Sequence, residues 1–370
     1  IRPNYTSPAP ATEITWERAP QWNIGFDMNF LNNRFSLTMD FYKKDSRDLI
    51  FNVPVPITTG YTTAVNNYVD VRNQGLEFTL GSSNLSKRSP FQWNTQINFA
   101  FNRNFVTKLP NGNRDFVYGP AFFQRVLTVG QPLHTFVVWN VPSVYPTTGD
   151  VPVDPLTGFR IRNDGSNNFY AGGDGAKQDL NGDYNINLLD KVVGGDPSPR
   201  MTGGIINNFS YKNFSMQILT SFVLKRKLWN SYLSDKLAST TNGLYTNWGV
   251  FSGPGVEFSN LNIWHQPGDI ADIPNIFSNA VDNTNISNGY FVQNASFFRF
   301  KNVLLGYTLP AKFTKRLKLR SVRVYSNIDN LFVIYTADVP DPEGVGENGV
   351  INGSGYPLSR KFTFGLEINL

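Results

Sequence analysis

The stretch Gln21–Tyr42 reads QWNIGFDMNFLNNRFSLTMDFY. Trp22, Ile24, Phe26, Met28 and Phe30 take every second position, with Asn23, Gly25, Asp27 and Asn29 between them. A period of two marks a strand, because successive side chains point to opposite faces. Asn32-Asn33 supplies residues that tolerate positive φ, and the alternation then resumes with Phe35, Leu37, Met39 and Phe41 against Ser36, Thr38, Asp40 and Tyr42. The stretch predicts two long antiparallel strands joined by a tight hairpin.

The pattern returns on both sides of longer irregular segments. Leu76, Phe78 and Leu80 repeat it, as do Phe91, Trp93, Ile97, Phe99 and Phe101, whose opposite face is Gln92, Asn94, Gln96, Asn98 and Asn102. A second hairpin centres on Lys212-Asn213, with Ile205, Phe209 and Tyr211 before it and Phe214, Met216, Ile218 and Phe222 after it. Between Ser296 and Leu309 the alternation changes phase near Lys301-Asn302, as a β-bulge would require. Leu319–Ile328 adds a strand, and Phe362, Phe364, Leu366, Ile368 and Leu370 close the chain. The count is about ten strands with almost no helix. Segments 109–199 and 228–295 are rich in Gly, Pro, Asn and Asp and read as long loops, which in a membrane barrel would be the extracellular ones.

A soluble β-sandwich also alternates, but its strands average about five to six residues and its second face is densely charged. Here strands of about ten or more present Asn, Asp, Gln and Thr on the second face, and aromatics gather near strand ends. That combination is the mark of a transmembrane antiparallel β-barrel, apolar toward lipid and polar toward a wet lumen. Only 16% of the 370 residues are charged, against about 25% in an ordinary soluble domain. No run approaches the ~20 apolar residues of a membrane-crossing helix. Cysteine is absent, which excludes disulfide scaffolds, thiolate zinc sites, iron–sulfur clusters and thiol nucleophiles. The net charge is +5, but the Lys and Arg residues read as scattered, so no nucleic-acid partner is expected. The opening Ile1-Arg2-Pro3-Asn4 is neither an initiator Met nor a signal peptide and reads as part of a mature or truncated piece.

Several segments in order resemble the C-terminal half of the SusC/RagA family of TonB-dependent outer-membrane transporters. Ile14-Thr15-Trp16-Glu17 followed by Gln21–Asp27 is similar to the family's "TWE…QYNIGLD", Asn32–Phe35 to "NNRL", and Tyr42-Lys43-Lys44 with Asp48-Leu49-Ile50 to "YYKKTTDLL". Val71–Phe78 resembles "VRNKGVEF", where Gly75 is expected to relieve a bend, and Gly130–Leu133 resembles "GKPIG". Asp179–Asp190 with Gly195–Arg200, Lys301–Pro310, Asp329–Phe332 and Tyr356–Leu366 continue the match, and Leu370 departs from the family's terminal Phe. The resemblance implies the last part of a 22-stranded barrel in the outer membrane of a Gram-negative bacterium, with the plug domain and TonB box N-terminal to this sequence. It further implies a SusD-like surface lipoprotein as lid, coupling to the TonB complex, contact with outer-membrane lipid, and a glycan or peptide substrate.

The sharpest local motif is Asp179-Leu-Asn181-Gly-Asp183-Tyr-Asn185-Ile-Asn187-Leu-Leu-Asp190. Ca²⁺ needs six to eight oxygens, which loop positions 1, 3, 5, 7, 9 and 12 deliver. Asp179, Asn181, Asp183 and Asp190 offer side chains, Asn185 its carbonyl, and Asn187 acts directly or through water. Tyr184 stands where such loops ordinarily place Gly, and an Asx-rich turn that caps its own backbone is the competing reading. The expected role is a structural Ca²⁺ in an external loop. His134 and His265 lie apart in loop-like surroundings, so no catalytic residues are assigned and no enzyme is expected. The pairs Asp338/Asp341 and Asp269/Asp272 read as turn caps, and Gly172-Gly173 and Gly194-Gly195 lack the strand and helix of a phosphate cradle. The loop aromatics Tyr118, Phe122, Phe123, Trp139, Tyr145, Tyr170, Trp229, Tyr232, Tyr245, Trp248 and Trp264 could stack on sugars, with loop packing preferred. Function is thereby narrowed to TonB-dependent import of an oligosaccharide or peptide, the alternative being a barrel that serves as scaffold subunit of a larger outer-membrane complex. A soluble adhesin is the third reading.

Overall fold

A computed structural model describes residue 9 and residues 14–86, 88–119, 123–165, 167–234, 261–275, 289–346, 348–352 and 355–369. Nine strands form one continuous antiparallel sheet, where about ten were expected. They are β1 (Gln21–Phe30), β2 (Phe35–Pro54), β3 (Thr63–Ser83), β4 (Phe91–Lys108), β5 (Met201–Tyr211), β6 (Phe214–Leu224), β7 (Phe297–Thr308), β8 (Ser321–Tyr335) and β9 (Lys361–Asn369). Each pairs with its sequence neighbour, giving a strict meander. Among the described residues no helix is long and apolar enough to cross a membrane.

Register places like with like. Phe26, Met39, Phe78, Phe99, Gly203, Phe222, Phe298 and Ile334 lie in one cross-strand row. The row on the other face runs Asp27, Thr38, Thr79, Asn98, Gly204, Ser221 and Arg299. The apolar face is left open along the sheet, with Ile24, Phe26, Phe362 and Phe364 each more than half exposed. An apolar face of that extent has lipid as its solvent.

Both hairpins form as read. Leu31, Asn32 and Asn33 all take positive φ between β1 and β2, and Lys212 takes φ 52° between β5 and β6. The phase change near Lys301 is a bulge: Phe300 pairs with Thr220 and Phe332, Asn302 with Leu219 and Asp329, and Lys301 has no opposite number. Connections alternate strictly in length. Residues 31–34, 84–90, 212–213 and 309–320 join strands at one end, and 55–62, 109–200, 225–296 and 336–360 at the other. Aromatics ring the short-turn end, where Phe214 and Tyr307 meet at 4.6 Å with their rings tilted by 45° and Trp93 stacks on Phe209 at 5.7 Å.

Gly75 has a different role from the bend relief expected of it. A Cβ there would lie 2.5 Å from both the Phe101 carbonyl oxygen and the Tyr42 hydroxyl, because the Tyr42 ring crosses the polar face directly over the glycine to donate to Asn102 Oδ1 at 3.0 Å. Gly75→Val is therefore expected to expel the ring and cost about 1–3 kcal/mol. A lower temperature of heat-modified gel migration for the intact barrel would register it, and an unchanged temperature would refute it.

The wall has no core of its own. The large buried clusters lie in the long connections, which fold into a cap. Phe116–Tyr118, Gln124–Leu127, Thr135–Trp139 and Lys191–Gly195 make a four-stranded antiparallel sheet within 109–200. Lys227–Asn230 is flanked by Val292–Asn294 and, in parallel, by Val350–Ile351. Phe123, Phe136 and Val138 from one connection, Trp229, Leu233 and Phe291 from the next, and Val350 from the last pack together. At 20 and 21 residues, β2 and β3 far exceed the roughly 9–11 that span the hydrocarbon. Their upper parts support the cap together with β4, where Val69 and Val71 of β3 and Val106 of β4 cluster with Leu109 and Leu127, and Leu49 and Phe51 of β2 pack against them.

Candidate functional site

The polar face and the cap above it are the surfaces on which this sheet can act. Between the short-turn end and mid-wall, the face carries mostly neutral hydrogen-bonding groups with a few charges among them: Ser83 Oγ donates to Asn94 Oδ1 at 3.0 Å, Gln217 Nε2 to Asn208 Oδ1 at 2.8 Å, and Thr38 Oγ1 to the Asp27 carboxylate at 2.6 Å. Such a surface is wettable and weakly selective for charge, as suits a lumen.

Charge is concentrated where the 336–360 connection drops onto β7. Arg299, on the polar face and only 2% exposed, donates from Nη2 to Asp341 Oδ1 and lies 2.9 Å through Nε from Glu343 Oε2. The bulge delivers Lys301 Nζ to Glu343 Oε1 at 2.6 Å. Asp341 also accepts from the backbone N–H groups of Glu343 and Leu358, at 2.9 and 3.2 Å. Two cations thus neutralise two carboxylates and staple the connection to the wall. Beside them lies a hollow of about 390 Å³ lined by Pro340, Asp341, Glu343, Ile351, Tyr356 and Leu358, with the Tyr356 ring 96% exposed at its mouth.

A second charged locus sits in the cap. Lys191 Nζ is 3.9 Å and Lys177 Nζ 4.5 Å from the Trp139 ring centroid, and Lys191 donates to Gln124 Oε1. Burial, with the Lys177 charge adding to it, pushes Lys191 down to about 8. Burial raises the Asp196 carboxyl against the opposing pull of Arg200, and it lowers Arg226, which ties Pro197 O to Val345 O at 3.0 and 3.2 Å.

The Asp179–Asp190 loop closes into Asx turns. Asp179 accepts from Gly182 N and Tyr184 N at 2.8 and 2.9 Å, Asn181 Oδ1 from Asp183 N at 3.1 Å, and Asp183 Oδ1 from Asn185 N at 2.9 Å. Asn185 Oδ1 reaches Gly165 N, and Asn187 Oδ1 caps Leu189 N at 2.8 Å. Asp190, fully buried, accepts from Leu180 N and Asn187 N at 3.0 and 2.8 Å. Among the described residues no three His, Cys, Asp or Glu side chains converge as a metal cluster.

The loop aromatics are mostly cap core. Phe123, Trp139, Tyr145, Tyr170, Trp229 and Trp264 are all buried, while Phe122, Tyr245 and Trp248 fall outside the described residues. Asp269 caps His265 N and Gln266 N at 2.9 Å each, and those amides hold its carboxyl below the usual range. His134 Nδ1 stands 3.4 Å from the Tyr118 hydroxyl, and Gly173 leaves room for the Trp264 ring. Sequence reasoning missed Arg299, Lys301 and Glu343, and it saw Asp341 only as a turn cap. The bulge was the one available signal, since it marks where a strand re-aims a side chain.

A meander with a lipid face, a hydrophilic face, short turns at one end and a folded cap at the other defines an outer-membrane β-barrel wall. The chain belongs to the family described as "TonB dependent receptor-like, beta-barrel", whose model matches residues 2–207. It is 29% identical over 371 residues to TonB-dependent receptor P3 of Formosa agariphila, covering 96% of this chain and 34% of that protein. It is 26% identical over 366 residues to TonB-dependent receptor SusC of Bacteroides thetaiotaomicron, covering 96% and 32%. The solved structure of the RagAB peptide transporter has the same fold, with TM-score 0.70 and 21% identity over 96% of this chain and 36% of that one. The chain spans about a third of the length of the curated relatives it matches. The protein resides in the outer membrane.

Proposed function

We propose that this chain is the C-terminal wall and cap of a TonB-dependent importer of SusC type, not an enzyme. The long connections face the cell exterior, the substrate is an oligosaccharide or peptide, and a SusD-like lipoprotein closes over the cap. The observation that carries the reading is the alternation of connections, the three longest contributing described residues to one packed cap at one end of a polar-lined wall. A cap beside a hydrophilic lumen face suits capture and release of a hydrophilic solute without covalent chemistry. Uptake of labelled oligosaccharides and peptides by cells carrying the intact gene tests this directly. Import that stops when TonB or the lipoprotein is removed is the expected result. Stoichiometric association with unrelated surface proteins and no uptake would establish the scaffold reading instead.

We also propose that the Asp179–Asp190 loop takes a structural Ca²⁺ by drawing Asp179, Asp183 and Asp190 inward from their backbone amides, supported by the spacing of its six oxygen donors. Saturating Ca²⁺ is then expected to stabilise the intact transporter by roughly 2.7 kcal/mol at a hundredfold excess over Kd, and Asp183→Ala to abolish the gain. No melting shift in the unaltered protein ends the proposal.

A further inference from the structure

The even scatter of Lys and Arg expected from the sequence fails at one place. Residues 309–320, LPAKFTKRLKLR, hold Lys312, Lys315, Arg316, Lys318 and Arg320 and no acid, so this one connection carries a charge equal to the net +5 of the whole chain. It joins β7 to β8 at the short-turn end through the turns Ala311–Thr314 and Lys315–Leu317. All five cations are exposed, and none takes part in an ion pair found among the described residues. Phe313, in the same connection, is also exposed.

Next to it the lipid face is grooved. Phe209, Phe214, Met216, Leu305, Tyr307 and Phe364 line an apolar depression of about 480 Å³. Tyr307 pairs with Val324, which also lines it, and these two residues bracket the basic connection in the chain. Thr308 N donates to Asn213 O and Leu309 N to Val322 O, fixing the connection against the end of the groove. Lys212, at the tip of the neighbouring hairpin, adds a further cation 5.2 Å from the Tyr211 ring.

Like charges this dense repel, and the described protein supplies nothing to offset them. An anion at the membrane boundary would, and Arg and Lys both bind phosphate strongly. We propose that the groove and the 309–320 connection together bind an anionic phospholipid of the periplasmic leaflet, an acyl chain in the groove and the phosphate headgroup against the basic connection. Charge complementarity selects the headgroup and the groove selects a lipid over a soluble anion. The inference rests on the orientation given above, with the short turns toward the periplasm.

The test uses the intact transporter in nanodiscs of phosphatidylethanolamine and phosphatidylglycerol, with retained lipids counted by native mass spectrometry. The unaltered protein is expected to retain phosphatidylglycerol over phosphatidylethanolamine by about tenfold or more, as several cations near a surface provide. Lys315→Gln, Arg316→Gln and Lys318→Gln combined should erase the preference, and Leu305→Trp should lower total retained phospholipid while leaving the charges in place. Equal retention of the two lipids, a preference that survives the triple change, or displacement by millimolar inorganic phosphate overturns the proposal. Asn32→Cys separates failure of the orientation: labelling by an impermeant maleimide in intact cells would reverse the topology, whatever the lipid result.

Discussion

Trp229→Ala is expected to destabilise the cap by about 3–5 kcal/mol, the range for emptying a fully buried large aromatic site, while the wall keeps its protection. Trp229 is 1% exposed, and its ring lies 5.2 Å from Phe123 and 5.3 Å from Phe291. Its own strand is paired on both sides, to Val292 and to Val350. One side chain therefore supports three connections at once, and the cavity left behind cannot collapse without moving all of them. Hydrogen exchange on the intact protein in detergent should show faster exchange across 123–139, 227–234 and 289–294 and unchanged rates in β1–β6. Equal acceleration in wall and cap would show that the two are one cooperative unit.

Arg299→Met should be comparably severe for a different reason. It leaves the Asp341 carboxylate buried against the wall without its cation, and breaking a buried pair from one side costs about 3–5 kcal/mol. Glu343 keeps Lys301, so the damage should concentrate at Asp341 and at the Leu358 amide it accepts from. The expected readout is new protease cleavage within 336–360 of an otherwise folded barrel. Adding Asp341→Asn should recover part of the loss, since the stranded charge is gone. A double variant no better than the single would mean that packing, not charge, holds the connection down.

The wall was legible because each strand has one lipid face and one wet face, and two solvents on two sides write a period of two into every strand. Even the Lys301 bulge showed as a break in that period. The cap was not legible for the converse reason. Thr135–Trp139 is buried at all five positions, so nothing alternates, and short strands paired across long gaps leave no local trace. That Trp139 and Trp229 pack within the loops was the preferred expectation and holds, but what they pack against was not legible, because burial depends on contacts with residues far along the chain. The Arg299–Asp341 pair, 42 residues apart, is invisible for the same reason. The basic connection was hidden by averaging, since five cations in nine positions disappear into a count over 370.

The cap's core also dictates an order of assembly. Phe123, Trp229, Phe291 and Val350 meet only after the chain between them has been laid out as β5 through β8, and the entropy of closing such long loops falls due before any of their contacts form. The meander can zip hairpin by hairpin from neighbouring strands. The cap must therefore consolidate last, so the protein passes through a stage with its strands in lipid and its aromatic core still open to water.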